Sequence, residues 1–207
     1  MTFLNQQFKR SLISAVATVS LVASVAHAQA PAAPVRLRGT VEKISGDSID
    51  IKAKGKTATY KIAPDASFMA VDHTDIAAIK SDSFIGTTAI PQADGTLKAL
   101  EVHVFPAGMK SGEGHYAWDI GGAKSTMTNG TVGSVVVSSG RTITVKYPNG
   151  EKKVVVPADV PVVSLEKGDR SLLVPGAHGV FFMTKAADGS EVVGRGAVGK
   201  GDVVPPM

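Results

Sequence analysis

In the first half of the chain, apolar and polar residues alternate in three successive runs. Every second position is apolar across residues 35–41, 49–53 and 58–62. A period of two is that of a β-strand with one face buried. Ser45-Gly46-Asp47 and Lys54-Gly55-Lys56 supply turns between the runs, so the pattern predicts three strands that pair with one another.

The alternation is lost across residues 64–79, which are rich in alanine and aspartate. We predict a loop there, followed by a short helix over residues 76–79 with Thr74 or Asp75 as its N-cap. Two more strands are predicted at residues 84–90 and 97–105. The Asp94-Gly95 pair between them is a favoured sequence for a hairpin turn.

The second half of the chain repeats landmarks of the first half. The matching landmarks are Gly39-Thr40-Val41 with Gly130-Thr131-Val132, Gly46 with Gly140, and Asp94 with Asp188. The last two pairs are each separated by 94 residues. A constant spacing at distant landmarks indicates an internal duplication.

We therefore predict an all-β protein of two tandem five-stranded OB-like β-barrel modules that follow a cleaved signal peptide. Three strands, an interruption and two further strands is the order of an OB-type barrel, and a barrel leaves few exposed edges. One continuous β-sandwich is the alternative. The predicted boundaries are 1–28 for the signal peptide, 29–34 for a disordered leader, 35–106 for the first module, 107–129 for a Gly-rich bridging segment, 130–199 for the second module and 200–207 for a fraying C-terminal tail.

The first 28 residues have the pattern of a secretory signal peptide. Lys9 and Arg10 precede an apolar run of about 14 residues, and Ala26-His27-Ala28 places small residues where signal peptidase cuts. The run is shorter than the ~20 residues that span a bilayer. We expect a periplasmic or secreted protein with no transmembrane segment in its mature chain.

Charge and cysteine content narrow the function classes. Loss of Lys9 and Arg10 leaves 20 basic and 18 acidic residues, which lowers the net charge from +4 to +2. So small a charge does not supply the positive groove that binds nucleic acid, and we expect no such partner. The chain has no cysteine, so it is stabilised by apolar cores or by a metal without thiolate ligands.

The bridging segment contains the only tryptophan and the densest group of potential ligands. Glu113, His115 and Asp119 lie within seven residues, among four glycines. A glycine-rich backbone can bring them together, and carboxylate plus imidazole suits a divalent transition metal such as zinc or copper. The segment also fits a packing role, in which Tyr116 and Trp118 cover the seam between the modules and Asp119 accepts a hydrogen bond from the backbone or the indole.

The rest of the chain gives little support for catalysis. There is no Gly-x-Ser-x-Gly, no His-Glu-x-x-His and no nucleophilic cysteine, and we predict that the protein is not an enzyme. Glu101 and His103 fall on the polar side of a predicted strand, where we expect them to face solvent.

Two phrases of the sequence resemble known proteins. GTVEKISGDSIDIK, with the third strand and the Asp-Gly hairpin that follow it, resembles a broad family of exported bacterial domains of unknown function. GEGHYAWDIGGAKSTMTNGTV is similar to a segment that recurs in one subgroup of exported proteobacterial proteins. The resemblance covers most of residues 36–199. It implies small five-stranded OB-like β-modules, often in tandem, and implies no catalytic residues.

These observations predict a non-enzymatic binding or structural protein of the cell envelope that needs no cofactor. Its partner would be an envelope protein, a glycan or a small ligand. The alternative is a periplasmic metal or small-ligand binder that uses Glu113, His115 and Asp119, with a divalent transition metal as the bound ion.

Overall fold

The alternating runs of the sequence form β-strands in the structure, a computed structural model that describes residues 35–122, 124–136 and 141–207. The predicted signal peptide, the leader and the landmark Gly140 lie outside these residues. The described residues contain twelve strands, two single-turn 3₁₀ helices and no α-helix, which confirms the all-β class. The strands are β1 (Arg36–Ser45), β2 (Ser48–Ala53), β3 (Lys56–His73), β4 (Phe84–Pro91), β5 (Leu97–Val104), β6 (Gly114–Ala117), β7 (Thr126–Val136), β8 (Thr142–Tyr147), β9 (Gly150–Val155), β10 (Val162–Gly168), β11 (His178–Lys185) and β12 (Glu191–Gly199).

Five strands close into a barrel, the first circuit. β1 pairs with β2 and β11, β2 pairs with β3, and β12 pairs with β11 and, in parallel, with β3. Val41, Ile49, Ile51, Phe68 and Phe181 fill its interior, each at most 2% exposed. Strands from both ends of the described chain therefore share one apolar core.

Five other strands form a second circuit with the same order of pairings. β4 pairs with β5 and β7, and β8 lies between β7 and β9. β9 returns to β5 through a short parallel contact that includes Leu97 and Val154. The core of this circuit includes Ile85, Val102, Val132, Ile143 and Val145.

The strand registers of the two circuits match at the 94-residue spacing seen in the sequence. The matching pairs include Ala53–Lys56 with Tyr147–Gly150, Lys61–Val192 with Val155–Lys98, and Gly86–His103 with Val180–Ala197. Both circuits also have an irregularity at the same place, between Thr88 and Ala89 in β4 and between Phe182 and Met183 in β11.

The tandem arrangement, with one barrel in each half of the sequence, is not confirmed. Each circuit takes three strands from one half and two from the other, and all twelve strands belong to one sheet. β10 joins the circuits, because it pairs antiparallel with β3 and parallel with β5. The described residues accordingly belong to one compact unit.

β3 is the reason that the sheet passes from one circuit to the other. The prediction of a loop from residue 64 is wrong, because β3 is 18 residues long and extends through this stretch to His73. Phe68 packs in the first core, whereas Met69 and Val71 pack in an apolar cluster between the circuits. Pro64, Asp65 and Ser67 are exposed, and burial on both faces begins only at Phe68, so this part of β3 shows no regular alternation. We refer to Val71, Met127, Val163, Leu165, Ala197, Val203 and Met207 as the central cluster.

Two other local predictions have opposite outcomes. The short helix is confirmed as a 3₁₀ turn that begins at Ile76, and its N-cap Asp75 accepts a hydrogen bond from the N–H of Ala77 at 2.7 Å. The prediction that the C-terminal tail frays is wrong, because Val203 and Met207 are 3% and 5% exposed and belong to the central cluster. Apolar burial holds the tail in place.

Candidate functional site

The bridging segment forms a hairpin against the second circuit. β6 pairs with the first four residues of β7. Gly121 and Gly122 turn the chain with φ values of 81° and 97°, which side-chain-bearing residues rarely adopt. The N–H of Trp118 donates to the carbonyl of Ser125 at 3.0 Å and closes the turn. β7 begins at Thr126, inside the predicted bridging segment.

The three predicted metal donors do not converge. Glu113 is exposed. His115 Nδ1 lies 2.8 Å from Thr128 Oγ1, and its ring stacks on Tyr147 with centroids 6.1 Å apart. Burial, and then the charge of Lys152, lowers the pKa of His115. In the described parts of the chain, no group of three or more His, Cys, Asp or Glu side chains could hold a metal ion.

Asp119 is held by arginine side chains. Arg38 donates from Nη1 to Oδ2 at 3.0 Å and from Nη2 to Oδ1 at 2.9 Å, which is the two-pronged geometry of a strong arginine–carboxylate contact. Arg36 Nη1 lies 3.8 Å from Oδ1. The hydrogen bond from Arg38 is the main cause that lowers the pKa of Asp119, so the carboxylate remains charged at neutral pH.

Tyr116 and Trp118 lie side by side, with ring centroids 6.0 Å apart. Trp118 is half-buried and packs against the central cluster. Tyr116 is 37% exposed, and its hydroxyl accepts a hydrogen bond from Asn129 Nδ2 at 3.1 Å. Burial raises the pKa of Tyr116, and the charges of Arg36 and Arg195 oppose that rise. The charges of both arginines therefore reach the Tyr116 hydroxyl.

A row of cross-strand neighbours places the arginines beside aromatic rings. Arg36 of β1 lies opposite Phe182 of β11, which lies opposite Arg195 of β12. Arg36 Cζ is 3.8 Å from the centroid of Trp118, and Arg195 Cζ is 4.5 Å from that of Phe182. Both distances are typical of cation–π contacts. We refer to Arg36, Arg38, Tyr116, Trp118, Phe182 and Arg195 as the arginine–aromatic face.

Two donors of this face are buried without a hydrogen-bond partner among the described residues. They are Nε of Arg36 and Nε1 of Trp118. A buried donor left unpaired is costly, and water, an ion or a ligand commonly satisfies it. Arg36 and Arg38 both lie against the carboxylate of Asp119, and Arg38 Nε also donates to the main-chain oxygen of Met207 at 3.0 Å. Arg195 is exposed and has no ion-pair partner among the described residues, so the face carries positive charge that is not balanced by a carboxylate.

The prediction that Glu101 and His103 face solvent is wrong. They are 1% and 4% exposed. One oxygen of Glu101 accepts from the N–H of Thr88 at 2.6 Å, and the other lies 2.9 Å from His103 Nδ1. Gly86 makes room for this pair, because a Cβ there would collide with the imidazole of His103 and the side chain of Asn129. The alternating pattern identified the side of the strand and could not show what covers it.

Sequence reasoning also missed the arginine–aromatic face. Arg36 and Arg38 were recognisable as outward residues of the first strand, but Phe182 and Arg195 lie near the other end of the chain. Only the pairing of β1 with β11, and of β11 with β12, brings these residues together.

Comparisons with known proteins provide no relative for this chain, because no protein family, curated protein or solved structure matches it. The resemblance to exported bacterial domains remains an expectation from the sequence phrases. Within the described residues, no helix has the length and apolar character needed to cross a bilayer.

Proposed function

We propose that the chain is an exported, periplasmic, non-enzymatic binding or structural protein of the cell envelope, and that the arginine–aromatic face contacts its partner. The observation that carries this proposal is the group of three arginines on one face, two of them stacked on aromatic rings, with Asp119 as the one side-chain carboxylate among the described residues that pairs with them. The signal-peptide pattern of residues 1–28 supports export.

The chemistry of this face favours binding over catalysis. Guanidinium groups stay protonated, so they orient and neutralise anions and do not transfer protons at neutral pH. Arg36 and Arg195 lie against aromatic rings, which holds their planes in place. Groups that are already ordered lose less entropy when a partner binds. The partner would be an envelope protein, glycan or small ligand that carries a negative charge.

We also infer that the chain contains two OB-like modules that exchange their last two strands. The matched registers and the 94-residue spacing support a duplication. In this arrangement, β11 and β12 complete the module begun by β1, β2 and β3. The bridging segment between the copies then supplies Tyr116 and Trp118 to the proposed binding face.

Co-sedimentation with a washed envelope fraction from a Gram-negative bacterium tests the binding function. The probe protein is residues 29–207, and we expect it to sediment with the envelope in a salt-sensitive manner. The double variant Arg36→Gln/Arg195→Gln should reduce the bound fraction. Lys153→Gln/Lys167→Gln removes the same charge from two exposed positions elsewhere and should bind normally.

Equal binding by the two double variants would reject the arginine–aromatic face, and failure of the unaltered protein to sediment would reject envelope binding. Export is tested separately by expressing the full chain and releasing the periplasm by osmotic shock. A product that keeps residues 1–28 and stays with the cytoplasm would contradict the proposed location.

A further inference from the structure

The start of β1 has a strand on only one of its two edges. Residues 36–40 pair with β11 on one side. On the other side, β2 pairs with β1 only from Thr40 onward. No strand of the described chain pairs with that second edge along residues 36–39. The edge therefore offers an incomplete position in the sheet.

The backbone groups at this edge belong to Arg36 and Arg38. The carbonyl of Val35 accepts a hydrogen bond from the N–H of Met183 in β11 at 2.9 Å. Backbone groups of successive residues point to opposite edges of a strand. Those of Arg36 and Arg38 consequently point away from β11, toward the edge that lacks a strand.

In the second circuit, β6 occupies the corresponding position. Thr40 pairs with Lys52, and Thr131 pairs with Lys146, which follows Lys52 by 94 residues. The first residues of β7 thus correspond to the start of β1. β4 pairs with one edge of this part of β7, and β6 pairs with the other. The fold itself shows that a short strand fits beside this stretch.

The surroundings of the open edge are positively charged and lack the aromatic ring found beside β6 in the second circuit. In the second circuit, His115 of β6 stacks on Tyr147 at the end of β8. The residue in the place of Tyr147 at the end of β2 is the much smaller Ala53, and the exposed Lys54 and Lys56 follow it. A strand here would lie beside a small residue and close to these two lysines.

The side chains beside the edge already bind a carboxylate. Arg38 holds Asp119 through two hydrogen bonds of 3.0 and 2.9 Å, and Arg36 lies 3.8 Å from the same carboxylate. Opposite charges on neighbouring strands stabilise their pairing. The edge is therefore suited to a strand whose side chains on the outer face are acidic.

We propose that the open edge of β1 at residues 36–39 binds an extended acidic segment of a partner protein, which adds as a strand where β6 lies in the second circuit. This inference rests on the proposed binding function and narrows the partner to a protein. In strand addition, main-chain hydrogen bonds provide affinity, and alternate side chains provide specificity.

A capped peptide of alternating glutamate and valine is the probe. Trp118 is the only tryptophan, and its fluorescence reports binding to residues 29–207. We expect slower hydrogen exchange at the amides of Arg36 and Arg38, and about tenfold weaker binding to Arg36→Gln/Arg38→Gln. The Lys153→Gln/Lys167→Gln variant should bind the peptide with unchanged affinity.

Two N-methylated peptides separate strand addition from simple charge attraction. One is methylated at every glutamate amide and the other at every valine amide. Because a strand presents alternate amides to its neighbour, one of them should bind about tenfold more weakly while the other binds like the parent peptide. Equal binding by both, or unchanged exchange at Arg36 and Arg38, overturns the inference.

The outcomes also distinguish this inference from the proposed function. An envelope fraction that still binds through the arginine–aromatic face, while no peptide adds to β1, overturns strand addition alone. Peptide addition with the expected asymmetry, without any envelope binding, supports the edge and rejects the envelope function.

Discussion

Val71 of β3 lies directly opposite Leu165 of β10, and these two residues are 94 positions apart. The pairs on either side are related by the same spacing. Met69 lies opposite Lys167, and Val163 and His73, which are their counterparts at 94 residues, also lie opposite each other. Val71 and Leu165 are 0% and 7% exposed and belong to the central cluster. The strand pairings on one side of this contact therefore repeat those on the other side.

Leu165→Ala should therefore weaken both circuits together. Truncation of a buried leucine costs about 2–5 kcal/mol, through lost burial and the cavity that remains. We expect a lower free energy of unfolding in urea and faster hydrogen exchange in both β2 and β8. Val174→Ala, at a position that is 53% exposed, is the control. If exchange rises in one circuit only, the circuits are independent modules.

The Gly86–His103 pair offers a test of packing between matched positions. At the 94-residue spacing, Val180 corresponds to Gly86 and Ala197 corresponds to His103, and the two form the same cross-strand pair. The larger residue of the pair is therefore on the other strand in the first circuit. Gly86→Ala would force its Cβ against the His103 ring. We expect a loss of about 1–3 kcal/mol of unfolding free energy, as overpacking of a core costs.

The same substitution should cost less where the imidazole is already removed. A double-mutant cycle with His103→Ala measures this coupling, because residues in contact give non-additive losses. Fully additive losses for the two changes would show that the imidazole is not what excludes a side chain at residue 86.

Local features of the fold were predictable because their causes are local. Asp94 accepts the N–H of Thr96 at 2.9 Å in one hairpin, and Asp188 accepts that of Ser190 at 2.9 Å in its counterpart. Ile49 and Ile51, from an alternating run, are fully buried. Turn chemistry and period-two alternation each act within a few residues, so the sequence shows them directly.

The pairing of β1 with β11 could not be predicted in this way. Alternation indicates which face of β1 is buried, and it does not select β11 over β4 as the neighbour. For the same reason, Asp119 could be recognised as a potential ligand, but its partner Arg38 lies 81 residues away. The long β3 was hidden because its exposed residues 64–67 are followed by residues buried on both faces, and neither stretch alternates in the way that identifies a strand.

The Arg38–Asp119 contact should make a small, pH-dependent contribution to stability. The pKa of Asp119 is lowered in the folded chain, so its contribution is present above the ordinary carboxylate pKa and is lost as pH falls through the folded value. Asp119 is 43% exposed. We therefore expect Asp119→Asn to cost under about 1 kcal/mol at neutral pH.

Urea denaturation of both proteins across the acidic range measures this effect. The difference between the unaltered protein and Asp119→Asn should shrink below a pH of about 4, and it should also shrink at high salt. Asp65→Asn, at another exposed aspartate, is the control. A difference that persists unchanged in acid would mean that the aspartate acts through packing.

His115 gives a second pH test, because the folded chain favours the neutral ring. Burial and Lys152 lower the pKa of His115, so the unfolded chain takes up the proton first as pH falls below about 6.5. The unaltered protein should lose melting temperature relative to His115→Gln between neutral and mildly acidic pH, whereas His73→Gln, at an exposed histidine, should follow the unaltered protein. Zinc extends the test to the metal-binding alternative, since bound metal requires a neutral imidazole and raises the melting temperature once the free zinc concentration exceeds its dissociation constant. A zinc-dependent rise in melting temperature that His115→Gln abolishes would favour the metal-binding alternative. Equal rises in the unaltered protein and in His115→Gln would contradict it.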